Sequence, residues 1–143
     1  DKQKKKITPS CCSSLTIVNI SSLVAIADFP TMGIYSAGKA ARDKYHTLIA
    51  KEENGEASSS SAYLATTTLP RIRTLNYAPG PLETDMVTEI RDNLAQLDAS
   101  LQPHYQKPQL DPMDSARKLF RLLQAEDFES GAHIDYYDLP ELQ

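Results

Sequence analysis

Leu15-Thr16-Ile17-Val18-Asn19-Ile20 is rich in β-branched side chains and almost continuously apolar. A run of that kind suits a strand buried on both faces of a parallel sheet, where no face alternates with water. Ser21 and Ser22 end it. After a short loop holding Pro30 and Gly33, the spacing of Ala37, Ala40, Ala41, Tyr45, Leu48 and Ile49 predicts a helix over 36–53. A second strand is expected over 72–77, halted by Ala78-Pro79-Gly80-Pro81, which cannot continue a central strand. Val87, Ile90, Leu94, Leu97 and Leu101 then fall on one face of a helix over 86–101. The last helix opens with Asp111 as N-cap, Pro112 at the first helical position and Asp114 in the first turn. It is expected to reach about residue 125 with Ala116, Leu119, Phe120, Leu122 and Leu123 inward. Ser130-Gly131 turns the chain into a short strand over 132–137. Strand, helix, strand, helices, strand is the order of an α/β fold with a parallel sheet of three strands. So small a sheet is expected to be part of a larger domain.

The 143 residues carry a net charge of -4, with 41% hydrophobic and 24% charged side chains, which is an ordinary globular balance. The sequence pI of 5.3 argues against nucleic acid as a partner, since that interaction needs a field of Lys and Arg. No apolar run approaches the roughly 20 residues that span a bilayer, and no leader precedes the first strand, so no membrane role and a cytoplasmic location are expected. Cys11 and Cys12 are adjacent, poorly placed for a mutual disulfide. With His46, His104 and His133 scattered, no metal site is expected. The lysine-rich 1–6 reads as a solvated tail, and 54–70, with its serine and threonine runs, as a polar loop insertion within a single domain over 1–143.

Three residues bear on chemistry. Tyr35 and Lys39 are four apart at the start of the first helix, a spacing that stacks two side chains on one face. An ammonium beside a phenol stabilises the phenolate, so such a tyrosine can pass a proton to or from a carbonyl oxygen near neutral pH. Ser22 lies at the carboxyl end of the first strand, where open α/β sheets bind ligands. Its hydroxyl can donate to the oxygen that the tyrosine protonates. The loop after the second strand ends beside it and can close over the same crevice.

Asn19-Ile20-Ser21-Ser22, Tyr35-Ser36-Ala37-Gly38-Lys39 and the run Asn76-Tyr77-Ala78-Pro79-Gly80-Pro81-Leu82-Glu83-Thr84-Asp85 together resemble the second half of a short-chain dehydrogenase/reductase. Residues 76–86 and 130–138 are similar to the branch of that family that reduces a pterin side-chain ketone. The likeness covers about 15–138 outside the insertion. It implies the C-terminal part of a Rossmann-like doubly wound parallel sheet and an NADPH-dependent reductase, with a homodimer expected of the intact enzyme. Carried over, it makes Ser22, Tyr35 and Lys39 catalytic: Ser22 polarises the carbonyl, Tyr35 is the general acid, and Lys39 favours the tyrosinate while bonding the nicotinamide ribose. It runs the cofactor along Leu82, Glu83, Thr84, Asp85, Met86 and Val87, beside Tyr35 and Lys39. It lines the pterin pocket with Ser22, Leu23, Tyr35, Gly80 and Met86, and anchors the pterin ring on Asp135 through charge-assisted hydrogen bonds.

The sequence departs from the family in two places. The last strand lacks the Asp-Gly-Gly with which most members end it. The glycine-rich phosphate turn of the family's first half, G-x-x-x-G-x-G or G-x-G-x-x-G, occurs nowhere among the five glycines. The alternative expectation is therefore a catalytically incompetent fragment, at most an association module. Hydrolysis by a Ser22–Lys39 pair is disfavoured, because no nucleophile-elbow pattern surrounds Ser22 and Tyr35 would have no task.

Overall fold

The computed structural model of the chain describes residues 14–30, 32–54, 71–93, 99, 102–106 and 108–141. Strand β1, Ser14–Ile20, runs parallel to β2, Arg71–Ala78, in register from Ser14 against Arg71 to Ile20 against Tyr77. β3, His133–Asp135, pairs in parallel with the other side of β2, placing His133 opposite Asn76 and Asp135 opposite Ala78. The three-stranded sheet has the order β1-β2-β3. Helix α1, Gly33–Glu53, follows β1; α2, Asp85–Asp92, α3, Gln102–Gln106, and α4, Pro112–Ala125, separate β2 from β3. This is the parallel α/β arrangement expected from the order of elements.

The two faces of β2 differ in chemistry, because successive strand residues point to opposite sides. Leu75 and Tyr77, both at 1% exposure or less, pack with Leu122 of α4 in a cluster joined by Val18, Leu119, Leu123, Phe128 and Ile134. Burial of each such side chain contributes roughly 1.5–3 kcal/mol. Thr74 and Asn76, equally buried, point instead to α1: the Thr74 hydroxyl donates to the His46 carbonyl (2.8 Å) and Asn76 Nδ2 reaches the Asp43 carbonyl (3.4 Å).

Helix α4 begins as expected. Asp111 Oδ1 accepts from the Met113 N–H at 2.8 Å and Pro112 opens the helix. Its inward face holds Leu119, Leu122 and Leu123 as expected, but differs at two positions. Ala116 and Phe120 are exposed, and Ser115 and Lys118 take buried positions. Each polar side chain is satisfied there: Ser115 Oγ donates to the Pro79 carbonyl at 2.8 Å, and Lys118 Nζ donates to the carbonyls of Tyr136 and Leu139 over the Tyr136 ring. The apolar spacing in α1 likewise misses the sheet. Tyr45 and Leu48 are exposed, while Asp43 and Ala50 are buried, because the sheet face that α1 covers is itself polar.

Other bounds moved. α1 begins at Gly33 rather than 36, so Tyr35 lies inside its first turn. The helix expected over 86–101 is described only over Asp85–Asp92, with 94–98, 100 and 101 outside the described residues, and α3 was not foreseen. The last strand stops at Asp135, where Tyr136–Asp138 turns into a 3-10 helix. The tail over 1–6, both cysteines and 55–70 of the expected insertion lie outside the described residues. Among those described, no helix is long and apolar enough to cross a membrane.

Candidate active site

Because the three strands are parallel, their carboxyl ends gather at one edge, where Ser22 follows β1 and Lys39 reaches the Ile20 and Ser21 carbonyls. β1 leaves the sheet at Ile20; the Ser21 N–H still donates to the Tyr77 carbonyl at 2.7 Å. Ser22 is extended and caps a short 3-10 helix, Leu23–Ala25. Its Oγ accepts from the Val24 N–H only at 3.5 Å, a long contact that leaves the hydroxyl proton free to donate elsewhere. The capping and catalytic readings of Ser22 are therefore compatible.

Tyr35 and Lys39 project from the first two turns of α1 toward this exit. Lys39 Nζ donates to the Ile20 carbonyl at 2.8 Å and to the Ser21 carbonyl at 3.3 Å. It stands 5.6 Å from the centre of the Tyr35 ring. Loss of water around the ammonium lowers the Lys39 pKa, and nearby Arg42 lowers it further, against the opposing pull of Asp43. A cation fixed on two carbonyls beside a phenol is placed to stabilise negative charge on that phenol.

The loop after β2 forms the second wall. Gly80 has φ +77, a conformation that favours glycine. The loop is then stitched to Leu110: the Leu110 N–H donates to Pro81, and the Glu83 N–H donates to Leu110. Leu82 and Leu110 form an isolated parallel bridge. The Glu83 carboxylate takes two hydrogen bonds from Arg91, at 2.6 and 2.9 Å. Thr84 is the N-cap of α2 but its hydroxyl caps nothing, and Asp85 sits in the first turn. Val87 is buried under the helix, whereas Met86 and Leu23 are exposed. From below, Tyr77 Oη donates to the Ser115 carbonyl and Ser115 Oγ donates to Pro79, fixing the loop on α4.

Asp135 has a structural task. Its Oδ1 accepts from the Tyr137 N–H at 2.9 Å, and its own N–H donates to Asp138 Oδ2 at 3.0 Å, a reciprocal capping box. One carboxylate oxygen is thus engaged.

A second polar group lies directly beneath. Asn19, Asn76 and His133 occupy one register row across all three strands. Asn19 Nδ2 donates to Asn76 Oδ1 at 3.0 Å and to Asp43 Oδ1 at 2.9 Å. Ser21 Oγ donates to the same Asp43 oxygen at 2.5 Å, and His133 Nδ1 lies 2.6 Å from Asp43 Oδ2. The sequence reading gave Asp43, Ser21 and Asn19 no role. The available signal was an asparagine at the same register in two otherwise apolar strands, together with a carboxylate one helical repeat beyond Lys39.

With the parallel sheet described above, sequence likeness to curated relatives places the chain within the short-chain dehydrogenase/reductase family, over the part of that family's fold that it spans. Its curated relatives include sepiapterin reductases. It is 41% identical to the rat enzyme over 131 residues, 44% to the bovine enzyme over 128, and 38% to that of Xenopus tropicalis over 125. Those alignments take in 88%, 87% and 85% of this chain but only 43%, 42% and 42% of the relatives, so the chain spans well under half of their length. A 7 alpha-hydroxysteroid dehydrogenase, solved with NADH and 7-oxo glycochenodeoxycholic acid, shares the fold with a TM-score of 0.57 at 20% identity. That match covers 88% of this chain and 44% of the other. No family model matches the sequence.

Proposed function

We propose that the chain carries the proton-transfer apparatus of an NADPH-dependent carbonyl reductase that acts on a pterin side-chain ketone, as in sepiapterin, and serves tetrahydrobiopterin synthesis. The observation that carries this reading is the Lys39 ammonium, held on the Ile20 and Ser21 carbonyls within 5.6 Å of the Tyr35 ring. In it, Ser22 donates to the ketone oxygen and orients it, and Tyr35 delivers its phenolic proton to that oxygen. Lys39 holds the resulting phenolate until a proton returns from solvent. NADPH, when bound, supplies the hydride that the carbonyl carbon accepts.

The residues present fit the nicotinamide end of such a cofactor. The Thr84 hydroxyl is left unused by its own cap, at a helix start whose first N–H groups suit an anion, and Lys39 can reach a ribose hydroxyl. The backbone over 82–87, braced on Leu110 and by Glu83–Arg91, would run along the cofactor. Leu23, Gly80 and Met86 would line the pterin pocket, and the oxygen of Asp135 outside the capping box would take the pterin's amino group. The phosphorylated cofactor, a homodimer and a cytoplasmic setting belong to the same reading and come from the likeness to sepiapterin reductases; the steroid dehydrogenase that shares the fold holds NADH.

The test is NADPH oxidation with sepiapterin, by the chain alone and by a longer chain that supplies a glycine-rich phosphate turn ahead of residue 1. Tyr35→Phe is expected to slow turnover by roughly 100-fold or more, the contribution of a positioned general acid. Equal rates with and without the Tyr35 hydroxyl would end the assignment. Silence of both folded chains toward sepiapterin would end the choice of substrate.

A further inference from the structure

We infer that Asp43 is a positioning residue for this site, an inference that rests on the reductase reading and deepens it. Tyr35, Lys39, Asp43 and Thr47 recur every fourth residue along α1, so the carboxylate sits one turn below the ammonium on the same side of the helix. It is 8% exposed and accepts from three directions: Asn19 Nδ2, Ser21 Oγ and His133 Nδ1. Two of these donors, Asn19 and Ser21, stand on either side of Ile20 and hold the Ile20–Ser21 segment. The carbonyls of that same segment, at Ile20 and Ser21, receive Lys39 Nζ, and the next residue is Ser22. One side chain therefore fixes the place from which the ammonium hangs and from which the serine projects. The third donor, His133, ties the group to β3, and Asn76 joins it through Asn19 and the Asp43 carbonyl.

A folding requirement alone does not account for this arrangement. Buried carboxylates and amides are costly unless fully paired, and apolar packing between helix and sheet would stabilise at least as well. His133 Nε2 is buried with no partner among the described residues, so the group holds an unmet polar atom. What polar side chains supply here, and apolar ones cannot, is direction. They set the strand exit at a defined distance from α1 and hence set Lys39 against Tyr35.

The test reads the Lys39 amine directly and needs no turnover, so it can fail while the reductase reading stands, or succeed while that reading fails. Trace acetylation of the full chain, resolved by residue with mass spectrometry, compares Lys39 with Lys44, which is exposed on the same helix. The lowered pKa of Lys39 favours the free amine, but its hold on two carbonyls keeps the nitrogen from the reagent, so Lys39 is expected to react more slowly than Lys44. Ser21→Ala removes one grip without a change in charge and should raise the Lys39/Lys44 ratio by roughly threefold or more. Asp43→Asn should raise it further. Asp43→Asn also removes a charge that favours the ammonium, so a rise in that variant alone is an effect of charge and overturns positioning. Thr47→Val breaks hydrogen bonds from α1 to its own backbone and to Gly131 without touching Ser21. A rise there equal to that in Ser21→Ala would mean general loosening of the helix, and would overturn the inference too. Unchanged labelling in folded Ser21→Ala overturns it outright, and that variant decides the matter if Asp43→Asn does not fold.

Discussion

Gly80 shows how one residue without a side chain holds the loop over the crevice. A Cβ at this position would stand 2.7 Å from Leu110 Cδ1 and 3.5 Å from Tyr136 Cβ, on a backbone with φ +77. The leucine methyl can yield; the backbone angle cannot change without moving Pro79 and Pro81. Gly80→Ala is therefore expected to destabilise the fold by roughly 1–2 kcal/mol, the cost of a left-handed conformation for an L side chain, read as a lower denaturant midpoint. An unchanged midpoint would mean that the loop can relax and that Gly80 owes its place to something other than the turn. Gly131, at φ +90, meets α1 in the same way: its Cβ would lie 2.9 Å from Ala50 Cβ. Both turns bring backbone against a neighbour that a larger residue would push away.

At the scale of elements, α4 and α1 read differently from sequence. The start of α4 was legible to the residue, since Asp111-Pro112 is a local signal and local hydrogen bonding decides it. Replacing the cap, Asp111→Ala, should cost about 1 kcal/mol, visible as an earlier thermal transition; a shift within error would show that Pro112 alone suffices. The positions of the strands were also legible, because apolar runs are properties of neighbours in the chain, although β1, expected to be buried on both faces, lies at the edge of the described sheet with Leu15 and Ile20 exposed. The facing of the helices was not. Tyr45 and Leu48 look like core by spacing, yet they are exposed, because Asn19, Asn76 and His133 from three separate strands set the polarity of the surface that α1 meets. That surface exists only once strands are paired in register, and spacing within a single helix carries no trace of it.

For the molecule as a whole, the core has an acid–base weak point at Tyr77. Burial raises its phenol pKa; the hydrogen bond with the Ser115 side chain opposes this, and the charges of Tyr136 and Asp135 add to it. A raised folded-state pKa contributes stability that is complete below the unfolded value, about 10, and is lost as pH climbs through the folded one. The chain should thus lose stability as pH rises above about 10. Tyr77→Phe should start lower, having lost its contact to Ser115, but fall less over the same interval; parallel curves for the two would refute this. Tyr77 lies on the face of β2 away from α1, so the alkaline transition and the polar row form separate vulnerabilities. The row has a consequence for how such a chain can vary. Asn19, Asn76, His133 and Asp43 are linked through one another, so the first replacement takes a partner from buried polar groups that remain, while later ones remove those groups as well. Their effects are then strongly non-additive, with the worst state nearest the start. Drift away from this arrangement has to pass through that state, and the four positions are expected to be kept together or exchanged together.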